Sequence, residues 1–119
     1  MDEDTEQLNR VFAALADPTR RNLVARLADA DASVGELAEP YDMSLQAISK
    51  HVRVLEEAGL VTRSREAQRR PVHLNAEVFS LMTKWIERYR LKAEERYERL
   101  DALLNSMTDT DDSRKKDAS

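Results

Sequence analysis

The sequence contains no cysteine, only two glycines and three prolines, and aromatic residues make up 5% of it. Without cysteine the chain has no disulfide, no thiolate metal ligand, no cysteine nucleophile and no thiol redox switch. Because Gly and Pro dominate turns and helix breaks, their scarcity favours helices. The apolar runs are far shorter than the roughly 20 residues of a membrane-spanning helix, and the acidic start Met1–Asp4 is unlike a signal peptide. We therefore expect a cytoplasmic protein that makes no use of the membrane.

The charge of the chain is unevenly distributed. The 119 residues carry 19 basic and 23 acidic side chains, a net charge of −4, which argues against a globally basic nucleic-acid binder. Residues 44–73, however, contain six basic and three acidic side chains, whereas residues 1–43 are acidic. We call residues 44–73 the basic island. Such an island is what a surface that approaches phosphate needs, although basic side chains are also common on solvated faces.

The first half of the chain predicts four helices. Apolar spacing predicts the first helix over about residues 5–16, and Asp17 with Pro18 begins the second. Ser33 and Glu36 fit a capping box at the start of a short third helix. The fourth begins at Ser44, ends at Gly59, and has the apolar positions Leu45, Ile48, Val52 and Leu55.

The second half predicts a hairpin and one long helix. Residues 61–65 and 71–74 alternate as short strands around a tip at residues 67–70, and Pro71 restricts its strand to a place, such as an edge, where one ladder donor is dispensable. A helix of roughly 30 residues, about 45 Å, follows the capping residue Asn75, and its apolar stripe is too long for this domain to cover alone. We therefore predict one folded domain over residues 1–105 and a disordered polar tail over residues 106–119.

The fourth helix carries an unusual polar face opposite its apolar one. Gln46, Ser49, Lys50 and Arg53 are spaced i, i+3, i+4 and i+7, beside the small residue Ala47. A helix that enters the major groove needs small and hydrogen-bonding side chains on its outward face. A solvated face with the same composition is the alternative, but such faces favour Glu–Lys pairs, and residues 44–54 contain no acidic residue. The order of elements is that of a winged helix-turn-helix, which favours DNA binding.

Three stretches strengthen this interpretation through a resemblance. LADPTRR at residues 15–21, ELA at 36–38 and MSLQAISKHVRVLEEAGLV at 43–61 resemble the ArsR-type (arsenic-repressor-like) winged-helix transcriptional regulators, in order over about residues 8–100. The resemblance implies a mainly α fold with a small β-hairpin wing and a homodimer formed through the first helix and the long last helix. It also implies that this dimer binds an operator in double-stranded DNA. Our hypothesis is a repressor at an imperfect palindromic operator, with activation as the alternative.

Two sets of candidate site residues follow from the polar face, the wing and this resemblance. The candidate DNA-binding residues are Ser44, Gln46, Ala47, Ser49, Lys50, His51, Arg53, Arg69 and Arg70. The candidate dimer-interface residues are Leu8, Val11, Phe12, Trp85, Tyr89, Tyr97, Leu100 and Leu104. For His51 a helix-packing role is nearly as plausible as a DNA contact. Trp85, Tyr89 and Tyr97 fit core or interface filling better than a ligand pocket.

Other functions find less support in the sequence. The chain has two histidines, neither in the last helix, so we expect no metal site, no cofactor and no metal response. No nucleophile–base pair or paired carboxylates point to an enzyme. A winged-helix module that binds an acidic partner protein through the basic face is the alternative, but it leaves the carboxylate-free start of the fourth helix unexplained. The sequence identifies no small-molecule effector.

Overall fold

The computed structural model describes residues 2–65, 68 and 70–118, with side chains as far as residue 108. The elements follow the predicted order: α1 (Glu3–Leu15), α2 (Pro18–Asp29), α3 (Val34–Ala38), α4 (Leu45–Glu57), β1 (Val61–Arg63), β2 (Val72–Leu74) and α5 (Ala76–Ala118). The mainly helical fold with a two-stranded hairpin is therefore confirmed. The chain forms two compact units, Met1–Met82 and Thr83–Ser119, and α5 belongs to both.

Side chains at the predicted capping positions begin the helices. The carboxylate of Asp17 accepts a hydrogen bond from the backbone N–H of Arg20 at 3.0 Å, and Pro18 occupies the first turn of α2, where no N–H is needed. Ser33 and Glu36 form the expected capping box: Ser33 Oγ accepts from the Glu36 N–H at 3.1 Å, and the Glu36 carboxylate accepts from the Ser33 N–H at 3.4 Å. The boundaries of α2 and α3 thus follow from local chemistry.

The core of the first unit lies where α1, α2, α3, α4, the hairpin and the start of α5 meet. Its largest fully buried side chains are Leu23, Leu37, Ile48, Leu55, Leu60, Val11, Val52, Val61 and Val72. Leu45, which the helical spacing assigns to the apolar stripe of α4, is instead 57% exposed. It is the first residue of α4, so it lies one turn ahead of Ile48, where the buried face begins.

The hairpin is less exposed than its sequence suggests. β1 and β2 pair antiparallel with Arg63 opposite Val72, and Val72 also exchanges backbone hydrogen bonds with Ala32 at 2.7 and 3.2 Å. At Val72, β2 therefore has a second neighbour in addition to β1, through an isolated bridge, although the sheet itself has only two strands. Pro71 is tolerated because β2 begins after it, so that its missing N–H removes no bond of the ladder.

A tight turn connects α4 to β1. Gly59 has φ +87°, a left-handed conformation that residues with a side chain rarely adopt, and the N–H of Leu60 donates to the carbonyl of Leu55 at 3.0 Å. A Cβ atom on Gly59 would lie 2.7 Å from the amide nitrogen of Gln7, which donates to the Ala58 carbonyl. Glycine at this position thus permits the left-handed turn and leaves room for the Gln7 amide.

The last helix is longer than predicted. α5 has 43 residues instead of roughly 30, and its backbone stays helical through positions 106–118, which the sequence assigns to a disordered tail. No proline or glycine follows Pro71, so the sequence contains no strong helix breaker in this stretch. The boundary of the folded domain at residue 105 stays a prediction.

Candidate nucleic-acid interface

Arg26 of α2 holds α3 and the turn that follows it against α2. Its guanidinium donates to the backbone carbonyls of Leu37 at 2.6 Å and Glu36 at 3.1 Å, which the end of the short α3 leaves free. The same guanidinium lies over the ring of Tyr41, 5.7 Å from its centroid. Tyr41 in turn donates to the side chain of Asn22 on α2. The segment from α3 to the turn is thereby held on α2, and this fixes the frame from which α4 projects.

The start of α4 presents a polar surface. Ser44 Oγ accepts from the backbone N–H of Ala47 at 3.1 Å and so caps the helix. Ile48, Val52 and Leu55 have no accessible surface, so the opposite face of α4 points to solvent. On that face Gln46, Lys50 and Arg53 are exposed, and Ala47 and Ser49 are half-buried. The structure therefore brings the predicted polar residues of α4 onto one accessible face.

His51 lies at a junction between α4 and α2. Its Nδ1 is 3.2 Å from a guanidinium nitrogen of Arg20 and 3.9 Å from the carboxylate of Asp17. Because a guanidinium has only donors, Nδ1 is the acceptor in this contact when the ring is neutral. Arg20 also donates to the carbonyl of Ala14 at 2.6 Å. This network supports the helix-packing role of His51, and its DNA contact stays a prediction.

The carboxylate of Asp17 in this junction has a lowered pKa. The hydrogen bond from the Arg20 backbone N–H is the main cause, and the charges of Arg20 and His51 act in the same direction, against the opposing effect of desolvation. The pKa of Asp17 therefore lies below its ordinary value of 3.8. The junction thus keeps a negative charge at the N-terminus of α2, where the helix dipole favours it.

A cleft of about 790 Å³ lies between the C-terminal half of α4 and the hairpin. Four arginines line it, and we call it the arginine cleft: Arg53, Arg63, Arg65 and Arg70. Glu56 is the one carboxylate among its described lining residues, and its Oε2 lies 3.5 Å from Arg63 Nε. That Nε is buried and has no hydrogen bond of adequate geometry.

Only part of the arginine cleft was anticipated from the sequence. Arg53 and Arg70 are among the predicted DNA-binding residues, and the structure places both at the cleft. Arg69 lies outside the described residues. Arg70 has φ +48°, a left-handed backbone at the end of the hairpin tip. Arg63 and Arg65 were missed as site residues, although the charge count of the basic island included both, because only the folded hairpin shows that they face Arg53.

The predicted dimer-interface residues fall into two groups. Val11 is completely buried in the core and Leu8 is only 8% exposed, so these side chains have little or no surface to offer a partner. The candidate interface therefore loses Leu8 and Val11. The helical spacing by which these two residues were chosen also describes the inward face of α1. The remaining members are 37 to 70% exposed: Phe12, Trp85, Tyr89, Tyr97, Leu100 and Leu104. Within the second unit, Trp85 and Tyr89 also contact each other with ring centroids 4.7 Å apart.

Two further features concern metals and membranes. In residues 2–65, 68 and 70–108, no three His, Asp or Glu side chains lie close enough together to hold a metal ion. No helix in the described part of the chain is both long and apolar enough to cross a membrane.

Comparison with curated proteins places this chain among transcription regulators. A family model described as a helix-turn-helix domain matches residues 15–64. The transcriptional repressor SdpR of Bacillus subtilis is 33% identical over 79 residues, which cover 66% of this chain and 88% of the repressor. The HTH-type transcriptional regulator Rv2034 of Mycobacterium tuberculosis is 36% identical over 85 residues, which cover 71% of this chain and 79% of that regulator.

Solved structures show the same fold. The crystal structure of an ArsR family transcriptional regulator, RHA00566, superposes with a TM-score of 0.69 at 38% identity and covers 74% of this chain and 97% of that chain. The homodimeric winged helix-turn-helix DNA-binding domain Mb0332 from Mycobacterium bovis, solved by solution NMR, superposes with a TM-score of 0.59 at 26% identity. It covers 75% of this chain and 85% of the Mycobacterium bovis domain.

Proposed function

This chain belongs to the ArsR family of winged helix-turn-helix transcriptional regulators, and from that premise we propose that it is a homodimeric repressor which binds double-stranded DNA and excludes RNA polymerase from a promoter. DNA binding would place it in the cytoplasm with the genome. The observation that carries the proposal is the outward face of α4, which is polar, accessible and free of carboxylates through residue 54.

In this proposal α4 enters the major groove. Its N-terminal half offers the amide of Gln46 and the ammonium of Lys50, which suit adenine and guanine edges, while the short side chains of Ala47 and Ser49 permit close approach. Ser44 Oγ already caps the helix and retains its own proton as a donor toward DNA. Arg53 and the arginines of the hairpin would neutralise backbone phosphates on either side of the groove.

The proposed dimer uses the exposed apolar residues of α5 together with Phe12 of α1. Between residues 85 and 107, nine large apolar side chains are more than a third exposed, which is more than an isolated surface helix normally shows. Tyr97, Leu100, Leu104 and Met107 follow one another by three and four positions, the spacing of a helix–helix seam. The homodimeric state of the Mycobacterium bovis domain supports the same assembly for this chain.

A two-fold dimer would present two copies of α4 to successive major grooves on one side of the duplex. The operator is then an imperfect palindrome whose half-sites lie about one helical turn apart or slightly more. A protein seated there blocks polymerase without further machinery. The proposed mechanism uses no metal, since the sequence has no cysteine and only two histidines as ligands for soft or borderline ions.

The test is the salt dependence of binding to genomic fragments that the protein itself retains. Fluorescence anisotropy on such a fragment is expected to give a log affinity that falls with log salt at about −0.9 per phosphate contacted. Arg53→Gln is expected to reduce that slope by about one contact, whereas Arg88→Gln, which removes the same charge from the second unit, leaves it unchanged. A flat salt response, or retention of an acidic protein instead of DNA, would contradict the proposal.

A further inference from the structure

Among its described lining residues, the arginine cleft holds four guanidinium groups and one carboxylate. Among the described residues, Arg53, Arg65 and Arg70 make no hydrogen bond or ion pair, and Glu56 is the one acid that faces the four guanidinium groups. Like charges gathered on one concave surface repel each other and raise the local positive potential. The first unit therefore keeps an arrangement that costs stability unless an anion compensates it.

The contact between Glu56 and Arg63 is a poor substitute for such an anion. The two side chains are 3.5 Å apart, with a single carboxylate oxygen near Arg63 Nε, so the paired geometry that a guanidinium favours is missing. Arg63 Nε stays buried without a satisfactory hydrogen bond. A buried donor in this state favours any ligand that offers it a well-placed oxygen.

We propose that the arginine cleft is a phosphate-binding site in which Glu56 occupies Arg63 until a phosphoryl group displaces it. A phosphoryl group offers three acceptor oxygens, which match several guanidinium groups at once. The hydroxyls of Thr62 and Ser64 line the same cleft and supply further donors. The phosphoryl group belongs either to the backbone of bound DNA, a case that rests on the proposed function, or to a free phosphate compound that competes with DNA.

The first arm of the experiment uses inorganic pyrophosphate and no DNA. Isothermal titration of the full chain is expected to show saturable binding. Arg63→Gln and Arg65→Gln are each expected to weaken it about tenfold, because each loses a hydrogen bond between two charged groups. Arg10→Gln, in α1, removes the same charge away from the cleft and is expected to change affinity less than twofold.

The most informative variant is one that is expected to bind pyrophosphate more tightly, because misfolding cannot produce a gain of affinity. Glu56→Gln removes the competing carboxylate and is expected to strengthen pyrophosphate binding about two- to fivefold, the range of a partly exposed ion pair. Glu57→Gln makes the same change at the next position, which does not line the cleft, and is expected to have little effect. Equal effects of Glu56→Gln and Glu57→Gln, or of Arg63→Gln and Arg10→Gln, would overturn the proposal.

The second arm repeats the variants with duplex DNA and separates the two sources of phosphate. Weaker DNA binding by Arg63→Gln, with pyrophosphate that binds too weakly to displace DNA, assigns the cleft to a backbone phosphate. If pyrophosphate binds and displaces DNA, the cleft is a site for a free phosphate compound that releases the protein from DNA. If the chain binds no DNA at all, the proposed function fails while the pyrophosphate arm still tests the cleft. Binding in neither arm refutes the site.

Discussion

In the proposed complex, the single residues Gln46 and Arg70 contact DNA in two different ways. Gln46 lies on the outward face of α4, where a side-chain amide can donate to and accept from one adenine. Arg70 lies at the arginine cleft beside the hairpin, where it faces the sugar–phosphate backbone in the proposed complex. The first contact distinguishes sequences, and the second holds any sequence equally.

Alanine substitutions separate these two roles. We expect Gln46→Ala and Lys50→Ala each to cost about 1 to 3 kcal/mol on the operator and much less on random DNA, because a bidentate base contact is lost. Arg70→Ala is expected to weaken both duplexes alike, since it removes only a phosphate contact. Anisotropy titrations with the two duplexes measure this difference. An equal loss on both for Gln46→Ala would show that this residue reads no base.

Asp17 links stability to pH. Its pKa is lowered in the folded protein, so its charge stabilises the fold above the ordinary pKa of 3.8 and this contribution disappears as the pH falls through the folded value. We therefore expect Asp17→Asn to lower the melting temperature at pH 7, and the difference from the native sequence to shrink below about pH 4. Asp42→Asn, at an exposed carboxylate, is the control. A melting-temperature difference that is the same at both pH values would contradict this assignment.

The limits of prediction from sequence are visible at individual positions. The outward residues of α4 follow from helical periodicity alone, because Ile48, Val52 and Leu55 determine which face is buried. The role of His51 does not follow in this way, since its partners Arg20 and Asp17 are more than 30 positions away along the chain. A contact of this kind depends on how α2 packs against α4, which a periodic pattern does not describe.

Among the helices, the ends that carry a chemical signal in the sequence were predicted, and the end without such a signal was not. Ser33 with Glu36, Asp17 with Pro18, and Gly59 each mark a helix end by a specific hydrogen bond or backbone conformation. The end of α5 has no such signal, and the structure extends the helix beyond the predicted residue 105. Polar residues without Pro or Gly are compatible with a helical backbone, so polarity alone does not determine where α5 ends, and the disordered tail over residues 106–119 stays a prediction.

The apolar stripe of α5 predicts a dimer that one surface change can disrupt. Leu100→Glu places a charge in the proposed seam beside Tyr97 and Leu104, and we expect it to shift the protein to a monomer in analytical ultracentrifugation. Leu91→Glu is the matched control, because Leu91 is also 48% exposed but lies on the opposite side of the helix by the 3.6-residue period. A dimer that tolerates Leu100→Glu, or one that Leu91→Glu disrupts, would place the interface elsewhere.

For the molecule as a whole, the uneven distribution of charge could be predicted from the sequence, but the arginine cleft could not. The basic island carries a local charge of +3 within a chain of net charge −4, and this contrast already indicated a surface for phosphate. The arginine cleft joins Arg53 of α4 with Arg63, Arg65 and Arg70 around the hairpin. Its existence depends on the packing of the hairpin against α4, which residue counts do not report.

The absence of cysteine and the scarcity of histidine lead to a prediction about regulation. We expect zinc, cadmium, nickel or arsenite at micromolar concentration to change operator affinity by less than about twofold, because soft and borderline ions need several Cys or His ligands. DNA titrations with each ion and with a chelator measure this. A tenfold release that the chelator reverses, and that substitution of His51 or His73 abolishes, would reveal a metal site in this chain.

The affinity for paired half-sites at varied spacing depends at once on the dimer, on α4 and on the operator, so it is the decisive measurement for the proposed function. Two half-sites taken from retained genomic fragments are placed about 10 to 11 base pairs apart, and then about five base pairs further apart. We predict at least a tenfold loss of affinity at the wider spacing, because half a helical turn moves the second major groove to the opposite side of the duplex. Equal affinity at both spacings would contradict a two-fold dimer that reads successive grooves.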